Sequence, residues 1–303
     1  MDVLSDILSK VKLSSAVYFK SDFSKPWGMD IPKGPFAQFH MVTKGQCVLK
    51  TKETSIQLFT GDIVVFPLGA SHWLANNEKS KRYEGREVVE AILSGKSLFE
   101  GDQLSTTLVC GHFEFDRHVG HPFINELPAM IHINDDDVKQ FSWLKNITDL
   151  VIDEAEKEKS GSNVIVNKLG EILFIHTLRV LIEKNKLKTG FMAAMQDERI
   201  SKVLKEIHTY PEKDWHLEKL AQIAGMSRTS FISKFKLLIG DTPFNYLTQW
   251  RLLQAKQLLA ESNLSVGEIS EQVGYQSEAA FNRVFKKNVE QTPLKFRQKV
   301  LVG

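Results

Sequence analysis

Two short stretches near the C-terminus carry side chains suited to reading a nucleic-acid duplex. Arg228, Thr229, Ile232 and Ser233 fall in the first; Glu278, Asn282 and Arg283 fall in the second. An arginine fork pairs with guanine, an asparagine amide with adenine, and a glutamate accepts from cytosine N4. Ile and Thr can touch a thymine methyl. Lys236, Arg251, Lys286 and Lys287, with Lys234 and Arg297, are expected to meet phosphates or solvent. A second set of chemistry-bearing residues lies in the front of the chain. His40, His72 and His112 would suit a transition metal if their imidazoles converge. Otherwise His40 and His72, with Cys110, are expected in or near an effector pocket. Cys110 sits in the apolar run Leu108-Val109-Cys110-Gly111, where a buried thiol packs as a small hydrophobe. His118 and His121 flank a loop glycine and read as loop histidines.

The elements that position the first set are duplicated. Residues 217–246 lie over 266–296 at an offset of 49 to 50, matching Gly225 with Gly274, Phe231 with Phe281 and Phe235 with Phe285. Thr242-Pro243 matches Thr292-Pro293. Each copy reads as a short helix, a turn opened by Gly, and a second helix with Ser227 or Ser277 as N-cap. The two phenylalanines, four residues apart, share one buried face and leave the polar face outward. This is the helix-turn-helix arrangement, whose second helix enters the major groove. Between the copies a helix of roughly 26 Å, at ~1.5 Å per residue, can hold the two reading helices about one DNA turn apart.

On Leu220-Ala221, Gly225-Met226-Ser227, Phe231, Phe235, Gly240, Thr242-Pro243 and Arg251, then Ala255, Leu259, Ile269, Gly274-Tyr275, Phe281, Phe285 and Thr292-Pro293, residues from about 197 to 300 resemble the DNA-binding domain of the AraC/XylS regulators. The resemblance implies a cytoplasmic homodimer, most often an activator, that binds double-stranded promoter DNA and acts on RNA polymerase.

Ahead of this domain, short strand-like segments run from about Ala16 to Ile133. They are interrupted between Asn76 and Ser105 by a polar stretch with room for one short helix. Gly61-Asp-Ile-Val-Val-Phe-Pro67-Leu-Gly69-Ala-Ser-His72-Trp-Leu-Ala-Asn76 resembles the second motif of the cupin β-barrel. Gly34 and His40 fit the start of the first motif. Its second His position is Val42 and its Glu position is near Gln46, so a set of three His and one Glu is broken. Residues 3–11 form an amphipathic helix, and helices are expected at roughly 136–158 and 162–185. The layout also resembles the reactive-chlorine-responsive branch of the family, in which a cysteine in this strand context is implicated in sensing oxidant. Cys47 lies in another strand, and no second cysteine stands near the N-terminus.

The chain is expected to be α+β with two domains. Residues 1–134 read as a cupin sensory barrel, 135–188 as a helical dimerisation segment, 189–196 as a linker, and 197–303 as an all-α double helix-turn-helix domain. At 303 residues, 42% hydrophobic and 25% charged, with mean hydropathy −0.20, the composition is that of a globular chain. No apolar run approaches the ~20 residues of a membrane span. From Gly190 to Gly303 there are 16 basic and 12 acidic residues, a modest surplus compatible with DNA. Two cysteines cannot frame a disulfide-built fold, which fits a reducing cytoplasm. The leading expectation is a non-enzymatic regulator that senses a small molecule, oxidant or metal. The alternatives are a metal-dependent cupin enzyme fused to a DNA-binding tail, or a repressor without effector.

Overall fold

The computed structural model describes residues 2–11, 13–96, 98–99, 101, 103–114, 121–156, 159–184 and 189–302. The strands are β1 Ser14–Ser24, β2 Gly28–Ile31, β3 Ala37–Lys50, β4 Ser55–Phe59, β5 Ile63–Phe66, β6 His72–Ala75, β7 Tyr83–Glu84, β8 Leu104–Glu114 and β9 Ile131–Ile133. The helices of the front part are α1 Val3–Val11, α2 Gly85–Leu93, α3 Pro122–Asn125, α4 Asp135–Gln140, α5 Ser142–Glu156 and α6 Ser162–Lys184. Those that follow are α7 Phe191–Gln196, α8 Ile200–Thr209, α9 Leu217–Ile223, α10 Arg228–Ile239, α11 Pro243–Glu261, α12 Val266–Gln272, α13 Glu278–Val289 and α14 Pro293–Val302.

The β3 strand organises the cupin-like sheet. Its first half pairs antiparallel with β8 and β5, and its second half pairs with β4 and β6. One long strand thus serves both sides of a curled sheet, with a register shift between Val42 and Lys44 where the pairing changes. Alternation along β3 and β8 sends His40, Val42, Leu108 and Cys110 to the inner face, among Cys47, Leu49, Val64, Phe66 and Leu74. The opposite face of β3 and β8 carries Phe39 and Phe113, stacked at 4.9 Å, and Phe113 meets Phe174 of α6 at 4.7 Å. Gly69, at φ +64°, closes the turn before β6. A Cβ there would lie 2.3 Å from the Gly34 carbonyl oxygen, so only glycine fits. The acidic run after β9 opens α4, with Asn134 as N-cap in a capping box with Asp137.

The chain divides into two compact units, and they do not follow the expected boundaries. One gathers Met1–Lys12, Asp116–Glu126 and Asn185–Gly303; the other holds Leu13–Phe115 and Leu127–Lys184. The α1 helix therefore belongs with the C-terminal helices, packing on α8 and α11 through buried Val3, Ile7 and Val11. The stretch read as a linker contains α7, with Phe191, Met192, Ala193 and Ala194 buried. Four consecutive apolar side chains are driven out of water there, so it cannot be a solvated tether. His118 lies outside the described residues.

Within this unit α11 serves two cores. Tyr246, Leu247 and Trp250 are buried on its first half, while Leu252, Ala255 and Leu259 join Val266, Ile269, Val273, Phe281, Phe285 and Phe296. A helix apolar on several sides is what two neighbours require. It is 19 residues long, about 28 Å at ~1.5 Å per residue.

Candidate nucleic-acid interface and buried thiol–imidazole chain

Both reading helices start in the same way. The Ser227 hydroxyl accepts from Ser230 N–H at 3.3 Å, and the Ser277 hydroxyl accepts from Ala280 N–H at 3.2 Å. Such a cap satisfies one of the free amides of the first turn and is worth about 1 kcal/mol. Gly225 and Gly274, at φ +61° and +87°, make the preceding turns. The phenylalanine pairs are fully buried: Phe231 and Phe235 at 5.6 Å, Phe281 and Phe285 at 5.5 Å. Arg228, Thr229, Ser233 and Lys236 of α10 are exposed, with Ile232 half-buried. On α13, Glu278, Arg283, Lys286 and Lys287 are exposed and Asn282 is half-buried.

Arg228 already holds a partner that the sequence reading missed. Its guanidinium donates to Glu218 on α9 at 2.6 Å. Hydrogen bonding and the cation lower the Glu218 carboxyl below its usual range. Both groups are exposed, so the pair is weak and readily exchanged. In the second unit the Asn282 amide donates to Glu278 at 3.4 Å.

Three of the cations expected to meet phosphates or solvent hold acceptors within the protein. Arg251 donates from Nε to Pro211 O at 2.7 Å and from Nη2 to Lys213 O at 2.9 Å. Arg297 grips Leu259 O and Leu264 O in the same manner, at 3.2 and 2.6 Å. Lys234 is 2.5 Å from the Asp197 carboxylate. Each cation is committed to an internal acceptor. A helical wheel shows charge and exposure but not a backbone carbonyl brought close by a distant loop.

In the sheet, register places His40 opposite Cys110 on one side and Val64 on the other, with His72 at the start of β6. Cys110 Sγ lies 3.1 Å from His40 Nδ1, His40 Nε2 lies 2.8 Å from His72 Nε2, and His72 Nδ1 lies 2.8 Å from Ala70 O. A carbonyl can only accept, so His72 Nδ1 bears a proton and its neutral Nε2 accepts. His40 must then donate from Nε2, and its Nδ1 accepts from the Cys110 thiol. The four groups form one directed chain. Burial holds both imidazoles below the ordinary histidine range, His72 at about 4, and pushes the Cys110 thiol well up. Cys47 is likewise pushed up, to about 12, first by burial and then by Asp62. Phe66 stacks on His72 at 3.6 Å and fixes its ring. His72 also borders an open cavity of about 600 Å³, lined in addition by Ile31, Pro32, Lys50, Trp73 and Glu84.

The three imidazoles do not converge. His112 pairs with Glu114 at 2.9 Å, and His40 and His72 are bonded to one another. Among the described residues, no group of three or more His, Cys, Asp or Glu is placed to hold a metal ion. The described donors therefore do not form the three-histidine set that was one of the two sequence alternatives, and His40 and His72 take the other, as hydrogen-bonded partners. His121 does stand in a loop, just ahead of α3, but it is buried there at 3% exposed. It accepts from Phe123 N–H at 3.1 Å and faces the Tyr246 hydroxyl at 3.3 Å, which lies 2.6 Å from His208 Nε2. Burial takes His121 down to about 3, and His208 Nδ1 lies 3.6 Å from Asp6 of α1.

A family model described as a cupin matches residues 2–183, and one described as a helix-turn-helix domain matches residues 220–299. The HTH-type transcriptional regulator AlkR of Acinetobacter baylyi is 30% identical over 98% of this chain and 99% of its own length. The chain belongs to the AraC-type transcriptional regulators. An uncharacterised HTH-type regulator of Haemophilus influenzae is 31% identical to this AraC-type regulator, over 99% of each chain. The RCS-specific activator RclR of Escherichia coli is 24% identical over 99% of this chain and 98% of its own. An AraC-type regulator with a cupin front part is thus a DNA-binding transcription regulator, and its relatives are named as regulators. Among the described residues, no helix is long and apolar enough to cross a membrane.

Proposed function

We propose that α10 and α13 read two blocks of one asymmetric promoter site from a single polypeptide, and that the Cys110–His40–His72 chain is where the cupin-like sheet receives its signal. The observation that carries the first part is the pair of capped helices standing on buried phenylalanine pairs with polar faces outward. Arg228, Thr229, Ile232 and Ser233 contact one block; Glu278, Asn282 and Arg283 contact the other. Lys236, Lys286 and Lys287 meet phosphates. In this reading the protein is a cytoplasmic activator that engages RNA polymerase and catalyses no reaction. It pairs as a homodimer through α5 and α6, whose Leu150, Val164, Ile165 and Ile172 are exposed.

A small molecule or oxidant reaching His72 from the bordering cavity would break the directed chain at its outer end. A broken chain would shift the balance between two arrangements of the protein. The thiol is protonated and buried, so an oxidant must first open this chain before the Cys110 sulfur reacts.

Anisotropy titrations on the promoter duplex and on a scrambled duplex, across a salt series, test the DNA reading. Arg283→Ala should lose about 1–3 kcal/mol on the promoter and little on scrambled DNA. Lys286→Ala should weaken both alike and lower the salt slope by about 1. Equal losses on the two duplexes for Arg283→Ala would remove its base-reading role.

A further inference from the structure

Arg251 stands part-way along α11, the helix shared by the two reading units. Its fork closes on Pro211 O and Lys213 O, carbonyls of the loop that leads into α9 of the first unit. The other side of the same guanidinium faces the second unit. Its Cζ lies 5.6 Å from the Tyr275 ring centroid, in the turn between α12 and α13. The neighbouring residue, Gly274, has φ +87°, and a Cβ there would lie 2.6 Å from Glu212 Cα and 2.8 Å from Arg251 Nη2. The turn of the second unit is thus seated directly against the loop that opens the first, with one guanidinium between them.

Arg297 provides the internal contrast. It grips two carbonyls with the same fork, but Leu259 O and Leu264 O lie beside its own unit's core. Arg251 alone of the two reaches backbone of the first unit and a ring of the second. A planar fork aims two donors at fixed angles, which a lysine ammonium cannot reproduce.

We infer that Arg251, with Gly274, is a positioning residue that fixes the spacing and phase between α10 and α13, and so the number of base pairs between the two promoter blocks. The inference rests on the reading that both helices enter one duplex. One base pair of B-DNA advances ~3.4 Å and turns about a tenth of a full rotation, so a joint that yields by less than this can reject a one-base-pair insertion.

The test uses the full-length protein. Binding duplexes are selected from a random-sequence pool, which defines the two blocks and their separation. Anisotropy titrations then use duplexes with the spacer lengthened or shortened by one and two base pairs. Wild type should lose at least about tenfold in affinity per misplaced base pair. Arg251→Lys and Gly274→Ala should select the same two blocks yet lose less than about threefold on the altered spacers. Arg297→Lys should keep the wild-type spacing preference.

Unchanged spacing discrimination in Arg251→Lys and Gly274→Ala would overturn the inference. So would a uniform loss with a lower salt slope in Arg251→Lys, which marks a phosphate contact. Gly274→Ala approaches the joint from the opposite side, so a poorly folded Arg251 variant does not leave the question without an answer. Selection of a single block by wild type would sink the two-helix reading and this inference together, an outcome distinct from the others.

Discussion

Arg283 and His40 each carry chemistry, yet they sit in opposite surroundings. Arg283 stands in water on a helix whose fold is secured by groups behind it, Phe281 and Phe285. His40 is 5% exposed, and its two nitrogens complete the hydrogen bonds of Cys110 and His72. A group of the first kind can be changed with little effect on stability, because solvent already satisfied it. A group of the second kind cannot, because its neighbours lose partners that water is unable to replace. On the proposed reading, α10 and α13 separate DNA binding from stability, whereas in the sheet reception of the signal and stability are joined.

That contrast is tested most severely by His40→Ala. Removing the central ring strands the thiol proton of Cys110 and an acceptor of His72, and leaves a void as well. A loss of about 3–4 kcal/mol in urea unfolding is expected. The two-block DNA preference should survive at low temperature. Wild-type stability in this variant would break the comparison at its root.

Acid comes next. His72 titrates at about 4 when folded against an ordinary 6.5, so the unfolded chain takes up the proton first. The associated stability, about 3 kcal/mol, is fully present above pH 6.5 and is lost as pH falls toward 4. Unfolding midpoints measured across that window should drop steeply for wild type and more gently for His72→Gln. Equal slopes would detach the imidazole from the acid response.

A smaller effect separates the two reading units themselves. Gly240 ends α10 in the left-handed region at φ +78°, and Glu290 ends α13 there at φ +61°. A side chain at that φ is strained, so Glu290→Gly should raise the melting temperature, by up to about 1 kcal/mol in stability. Gly240→Ala should lower it. The smallest expected change is in affinity: Glu218→Gln releases Arg228 and should tighten promoter binding by about threefold or less. Weaker binding would mean that the ion pair holds Arg228 in its reading posture.

How much of this was legible in the sequence depends on range. The duplicated helices, their serine caps and the Phe231/Phe235 pairing are set within a few residues, and periodicity shows them directly. The cupin motif around Pro67, Gly69 and His72 is also local. Convergence of His40 with His72 was foreseen only as a shared neighbourhood, because tautomers and partners follow from strand register. The internal acceptors of Arg251, Arg297 and Lys234 are not legible in the sequence, because a cation's partner can lie about forty residues away and leaves no spacing signal. The α7 helix was overlooked for its brevity, although the run Phe191-Met192-Ala193-Ala194 already spoke against a tether.

The interleaved composition of the C-terminal unit bears on biosynthesis and on the building of hybrids. Three separate stretches, Met1–Lys12, Asp116–Glu126 and Asn185–Gly303, must assemble before that unit is complete. As the ribosome delivers the chain, α1 emerges nearly two hundred residues before α8, and until then its apolar stripe has no home. A gene fusion cut at residue 197 would discard α1 and uncover the surface that Ile7 and Val11 shield, so such hybrids should be sticky and short-lived unless that helix is supplied in trans.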